Sequence, residues 1–305
     1  AGGKVYVADA LRGEVVVFGV DGKYQTAFGK GVLVTPLYVA ENPLDGRVYV
    51  TDRKAVGVHV FDRGGTQLRL FEPTATDDGP DLGSGWRPLA IAFGSGGTMY
   101  VTDTSEPQRA LKISPTGALL VEAGRSTPIA TAGPELAFAN GIAPSGEDVL
   151  VVDSNNGRLL FLDAEFRRVG QATFDGLPRG AAVIPTAVGR VYAVVDAAGS
   201  DVHLVDARGT TLETFSGRDT TAGPMYQPTA VADDGASMLY VTDTGNRRVL
   251  QFSLGPAPAA APLGLPRVGR DAQSSAAWAV AIIGCLITLA FVVRAVRSLP
   301  PRATS

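Results

Sequence analysis

The sequence predicts an all-β fold, a six-bladed β-propeller of four-stranded antiparallel blades, followed by one C-terminal transmembrane α-helix. Three observations carry the prediction. Six similar β-rich segments recur along residues 1–254; 37 glycines and 20 prolines spread through the 305 residues, favouring turns and short strands over long helices; and an uncharged apolar run stands near the end.

The recurring segments are Tyr6 to Asp9, Tyr49 to Asp52, Tyr100 to Asp103, Leu150 to Asp153, Ala193 to Asp196 and Tyr240 to Asp243, at spacings of 43, 51, 50, 43 and 47 residues. Each leads through a polar turn to a second β-rich run, such as Val15 to Phe18, Val58 to Phe61, Leu159 to Leu162, Val202 to Val205 or Val249 to Phe252. A turn such as Asp21-Gly22 or Arg208-Gly209 opens a third run, and a short apolar strand precedes most copies: Pro36 to Ala40, Pro88 to Phe93, Asn140 to Ala143, Gly180 to Ile184 and Pro228 to Ala232. Units of roughly 40 to 50 residues with four strands are propeller blades, which bury their faces on one another around a channel. Blade one lacks its innermost strand, because Ala1-Gly2-Gly3 reads as a turn. Blade six lacks its outermost strand, because prolines follow Leu254. A strand pair from chain upstream of Ala1, or from a partner, is expected to fill both places, since open edges invite aggregation.

Residues 255–275, rich in Pro and Ala, read as an extended linker. Residues 276–293 run as 18 uncharged positions, a length that approaches the hydrocarbon thickness as a helix. Trp278 suits one membrane interface, and Arg294 and Arg297 in the basic tail, residues 294–305, suit the cytoplasmic one. The propeller is then expected outside the cytoplasm on a single-pass anchor, behind a cleaved signal peptide. Cys285 within the run reads as a small apolar residue.

Charge excludes further classes. With 27 basic and 30 acidic residues the net charge is −3, which offers no footprint for nucleic acid. One Cys excludes a disulfide framework and thiolate clusters, and two His leave little for a zinc site, so no cofactor is expected. Arg outnumbers Lys 22 to 5 and no Asn-x-Ser/Thr acceptor occurs, which suits a prokaryotic envelope.

The run LYVTDTGNRRVLQF, Leu239 to Phe252, resembles an NHL repeat, and the resemblance extends over residues 1–254, weakest in blades four and five. It implies the six-bladed ring. The Asp ending each second strand reads as a turn residue that accepts backbone N–H groups, as do Asn155, Asn156 and Arg158 in blade four and Asn246 and Arg247 in blade six as its companions. His59 and His203 occupy matching places where other blades carry Val16, Leu111 or Leu250, so both read as packing positions. Peptidylglycine-lyase relatives of this fold use a His-rich zinc site that this chain cannot populate. Phe138 to Ala143 resembles the inner strand of blade four in gluconolactonase-type propellers, which implies Asn140 as a calcium ligand, but Arg179 stands where those enzymes offer an Asp. Asp77, Asp78 and Asp81 gather in one loop without the spacing of a calcium loop and read as solvated.

With catalytic groups scarce, the sequence favours a membrane-anchored extracytoplasmic interaction module, an accessory subunit of a membrane complex rather than an enzyme. The alternatives are a propeller enzyme of lactonase or lyase type and a ligand-sensing ectodomain. The expected partners are an unidentified extracytoplasmic protein, contacted through Trp86, Met225 and Tyr226 on the loop-rich rim, and the lipid bilayer.

Overall fold

The computed structural model describes residues 3–75, 85–124, 136–186, 189–216, 223–235, 238–254, 267–269, 278–284 and 289–295. They form six antiparallel sheets in chain order. The first has three strands, β1 (Lys4–Asp9), β2 (Glu14–Gly19) and β3 (Tyr24–Phe28). The second holds β4 (Pro36–Glu41), β5 (Val48–Asp52), β6 (Val58–Phe61) and β7 (Gln67–Phe71), and the third β8 (Pro88–Phe93), β9 (Met99–Asp103), β10 (Arg109–Ile113) and β11 (Leu119–Ala123). In the fourth are β12 (Ala139–Ser145), β13 (Asp148–Asp153), β14 (Arg158–Leu162) and β15 (Arg168–Thr173). The fifth comprises β16 (Pro178–Thr186), β17 (Gly189–Asp196), β18 (Asp201–Asp206) and β19 (Thr211–Phe215). The sixth begins with β20 (Pro228–Asp233), β21 (Met238–Asp243) and β22 (Arg248–Ser253). The chain divides into two units, one of residues 1–156 and 160–170 and one of residues 157–159 and 171–305.

Strand burial follows position in the blade. The second strands β5 and β9 are buried at every residue, as their near-continuous apolar runs demand, whereas β3, β7 and β15 carry mostly exposed residues on the outside. In the first unit Val58, Val60, Tyr49, Ile91, Val101 and Leu111 form one core cluster; in the second, Val202, Leu204, Leu239, Val241 and Phe252 form another. Fully burying such a side chain contributes about 1.5–3 kcal/mol.

The recurring Asp ties each blade to the loop before it. Asp52 Oδ2 accepts the Val34 N–H at 2.6 Å, Asp103 Oδ1 that of Arg87 at 2.8 Å, Asp153 Oδ1 that of Ala137 at 2.8 Å and Asp243 Oδ1 that of Tyr226 at 2.7 Å. The Thr before it has its own task. Innermost strands bulge near their start, and Thr51, Thr102 and Thr242 hydroxyls accept the N–H groups of Tyr38, Ala90 and Ala230 there.

The first sheet lacks an innermost strand, as the sequence predicts. The filling of blade six differs from expectation. Its outer place is taken from downstream: β22 pairs with β25 (Leu289–Ala295), which pairs with β24 (Trp278–Gly284), beside β23 (Arg267–Gly269). The expected transmembrane helix over residues 276–293 is therefore corrected to strands wherever that run is described, and among the described residues no helix is long and apolar enough to cross a membrane. The reason lies in composition, since Val280, Ile282, Ile283, Phe291, Val292 and Val293 are β-branched or aromatic and β22 offers an open edge. The single-pass location, the bilayer as partner and the interfacial roles of Trp278 and Arg294 lose their basis; those two residues face each other in register across β24 and β25. Arg297 and Cys285 lie outside the described residues.

Two buried charges lead to predictions. Arg109, 1% exposed, donates from Nε to Asp103 at 2.9 Å and from Nη1 to Glu122 at 3.0 Å. Arg109→Ala leaves two carboxylates without their cation, and chemical denaturation is expected to show a loss of about 3–5 kcal/mol. Glu213 on β19 is 5% exposed with both carboxylate oxygens unpartnered among the described residues, and desolvation pushes its pKa up from 4.5 to about 8. The unfolded chain releases this proton near pH 4.5 and the folded chain only near pH 8, so stability falls as pH rises between those values. Urea unfolding at pH 5 and pH 8 is expected to show Glu213→Gln free of a loss, about 2–4 kcal/mol, that the unsubstituted chain suffers.

Candidate metal centre in the fifth blade

In blades three and six the position facing the recurring Asp across the second and third strands is Arg, Arg109 beside Asp103 and Arg248 beside Asp243, and in blade four Arg158 follows Asp153 in sequence. Arg248 Nε lies 2.6 Å from Asp243 Oδ2, the geometry of a charge-assisted bond. Blades one and five depart from this: Asp9 faces Glu14 and is paired instead by Arg12 from the connecting turn, whereas in blade five no arginine among the described residues reaches the acid. Asp201 is the register partner of Asp196, so a second carboxylate replaces the cation, and His203 follows two residues later on the same face of β18.

Asp196, Asp201 and His203 bring one ligand atom each within 4.8 Å of one another. His203 Nε2 is 3.0 Å from Asp201 Oδ1 and 4.0 Å from Asp196 Oδ2. The other imidazole nitrogen, Nδ1, is 3.3 Å from Thr214 Oγ1, and the Phe174 ring meets the imidazole edge to face at 4.8 Å. Asp196 divides its work between its two oxygens. Oδ1 accepts the N–H groups of Leu177 at 2.8 Å and Ala198 at 2.9 Å, while Oδ2 is turned to the histidine. The side chains of Asp201 and His203 keep 20% and 17% of their exposure, so the cluster is open on one side.

Backbone lies close against the carboxylates. A Cβ on Gly176, whose φ is +137°, stands 2.1 Å from Asp196 Oδ2; one on Gly199 stands 2.6 Å from that oxygen and 3.0 Å from Asp201 Oδ1. The positive φ favours glycine at 176, and the bare backbone at both positions lets the chain approach the carboxylates closely. Two carboxylates and a neutral imidazole oppose a divalent charge with hard and borderline donors, a set suited to Zn²⁺, Mn²⁺ or Fe²⁺. Thr214 is placed to accept the Nδ1–H when Nε2 binds metal, the outer-shell bond that orients metal-ligating histidines.

The other sequence-derived candidates are dispersed. His59 is 9% exposed, stacks on Phe61 and bonds Gln67 at 3.1 Å, with burial pushing its pKa down against the pull of Asp52. Asn140 turns its amide onto the Phe138 carbonyl at 3.0 Å, and its own carbonyl accepts the Tyr38 hydroxyl. Asp77, Asp78 and Asp81 lie outside the described residues. Trp86 and Met225 are buried in core clusters at 6% and 3% exposure, and Tyr226 is 56% exposed. His203 is legible only through its neighbour: the signal is Asp201 standing where blades three and six carry Arg.

No protein-family model matches the chain. No curated protein matches it either. Solved structures do. A protein of unknown function from Bacteroides caccae aligns over 83% of this chain and 90% of its own, at 11% identity and a TM-score of 0.61. A catalytically inactive His-to-Ala variant of virginiamycin B lyase from Staphylococcus aureus, with quinupristin, aligns over 95% and 91%, at 14% identity and a TM-score of 0.57. A gluconolactonase from Xanthomonas campestris aligns over 78% of each chain, at 14% identity and a TM-score of 0.55. These likenesses show a six-bladed β-propeller fold and, at such identities, the fold alone; they do not carry the NHL assignment.

Restoring the repeat's own pair tests the exception. Asp201→Arg gives blade five the ion pair of blades three and six, and the variant is expected to melt no lower than the unsubstituted chain, whereas a purely structural Asp201 predicts a lower melting temperature.

Proposed function

We propose that the chain is a metal-dependent propeller enzyme of lyase or lactonase type, with Asp196, Asp201 and His203 as ligands of one divalent cation. The single observation behind the reading is the exchange of a structural Asp–Arg pair for an Asp–Asp–His cluster under two glycines. The reading as a membrane-anchored interaction module depended on a spanning helix, which the described residues do not form, and on a lack of catalytic groups, against which the Asp196, Asp201 and His203 cluster stands as a candidate. Two histidines suffice, because the cluster takes one imidazole and draws its remaining donors from carboxylates, of which the chain has many. The fold neighbours add support of their own kind, since they include a lyase inactivated by loss of one histidine and a gluconolactonase.

A bound cation would supply Lewis-acid polarisation of a carbonyl or acidification of a water at the open side of the cluster. Asp196 holds its carboxylate in place through the Leu177 and Ala198 N–H groups, so Oδ2 is presented without reorganisation. Asp201 keeps His203 Nε2 directed at the same point, and the Thr214 hydroxyl, able to donate or accept, would take the Nδ1–H once Nε2 engaged a metal. Three protein donors leave coordination positions for water and substrate.

Metal content by mass spectrometry and Mn²⁺ titration test the proposal. One ion per chain is expected, with affinity falling as pH falls because protons compete for the imidazole and carboxylates. His203→Leu, which installs the aliphatic residue of other blades, is expected to bind about 100-fold more weakly while remaining folded, and to lose turnover of glucono-lactone or another cyclic ester in parallel. Unchanged metal affinity in His203→Leu would falsify the assignment.

A further inference from the structure

Innermost strands carry, one residue after their start, Leu37, Leu89, Asn140, Arg179 and Thr229. Four are uncharged. Arg179 alone brings a cation there, half-buried, and it makes no hydrogen bond or ion pair with any described residue. The buried Arg109 of blade three and the half-buried Arg248 of blade six behave differently, since each closes on the recurring Asp. An arginine sheltered from water without a partner forfeits hydration that an anion would restore.

Its position links it to the metal centre. Pro178 is the register partner of Asp196, so with partnered Cα atoms about 5 Å apart and consecutive ones 3.8 Å apart, the Arg179 Cα lies within about 9 Å of that of Asp196. Asp196 does not quench the guanidinium, because its Oδ1 is committed to backbone N–H groups and its Oδ2 faces His203. The backbone at this point is held on both sides. Gly176 lies against the Asp196 carboxylate, and Gly180 packs so closely on the next inner strand that a Cβ there would stand 2.8 Å from the Ala230 Cα and 3.0 Å from the Thr229 carbonyl oxygen. Arg179 thus carries a long cationic side chain on a fixed backbone within reach of the Asp196 end of the cluster.

We infer that Arg179 anchors a carboxylate carried by a ligand of the metal centre, so that the site accepts small organic anions with a hydroxyl or carbonyl oxygen next to the carboxylate, such as the hydroxy acid that opening of a lactone releases. The inference rests on the metal reading above. A guanidinium engages a carboxylate through two parallel bonds, leaving the adjacent oxygen for the cation.

The test uses the full chain loaded with Mn²⁺ and two probes, glycolate and its uncharged isostere glycolamide, followed by water-proton relaxation. Glycolate is expected to bind the unsubstituted chain about tenfold or more tightly than glycolamide. Arg179→Gln is expected to remove that preference while leaving Mn²⁺ affinity, glycolamide binding and melting temperature unchanged, and Arg179→Lys to restore part of it through charge alone. Equal glycolate affinity in the unsubstituted chain and Arg179→Gln, with Mn²⁺ bound to both, overturns the role of Arg179 and leaves the metal reading standing. Failure of the unsubstituted chain to bind Mn²⁺ overturns both.

Discussion

A carboxylate at the end of each second strand holds the loop that enters the same blade. From this one bond type much else follows. The inter-blade loops vary in length and sequence, yet in blades two to six they are caught by an Asp that accepts one of their N–H groups at 2.6 to 2.8 Å. A buried N–H left without such an acceptor costs about 1–3 kcal/mol, so the acid is retained even where the remainder of the repeat drifts. Where the second carboxylate oxygen needs a partner as well, an Arg on the third strand supplies it, as Arg109 and Arg248 do.

The sequence and the structure agree where periodicity and turn chemistry decide, and part company where context does. Six repeats, the missing inner strand of blade one and the structural Asp could all be read from spacing, because a repeated unit writes the same physical demand six times. The run after Ala276 carried two incompatible signals. Its lack of charge argued for a helix in lipid, and its β-branched and aromatic content suited strands beside an open edge; hydropathy alone has no means of weighing an edge that exists only after folding.

The cluster in blade five was hidden for a related reason. Comparing His203 with Leu111 and Leu250 asks what the position tolerates, and the answer is an apolar side chain. Comparing Asp201 with Arg109 and Arg248 asks what stands beside the neighbouring acid, and the answer is a second carboxylate where those blades have a cation. Only the second question separates a filled slot from an altered one. Glu213 escaped notice similarly, since nothing in Thr-Leu-Glu-Thr-Phe distinguishes a buried acid from a solvated one on an outer strand.

Asp196 serves the fold with one oxygen and the cluster with the other, and this sharing affects how the site would be recognised elsewhere. Among diverged chains with the same blades, an Asp at this position would persist after the chemistry had gone, because the loop at Leu177 still needs its acceptor. Its presence is therefore uninformative about ancestry of function. The discriminating marks are the residues without that duty, Asp201 and His203, two positions apart on one face of β18, which drift would erase first.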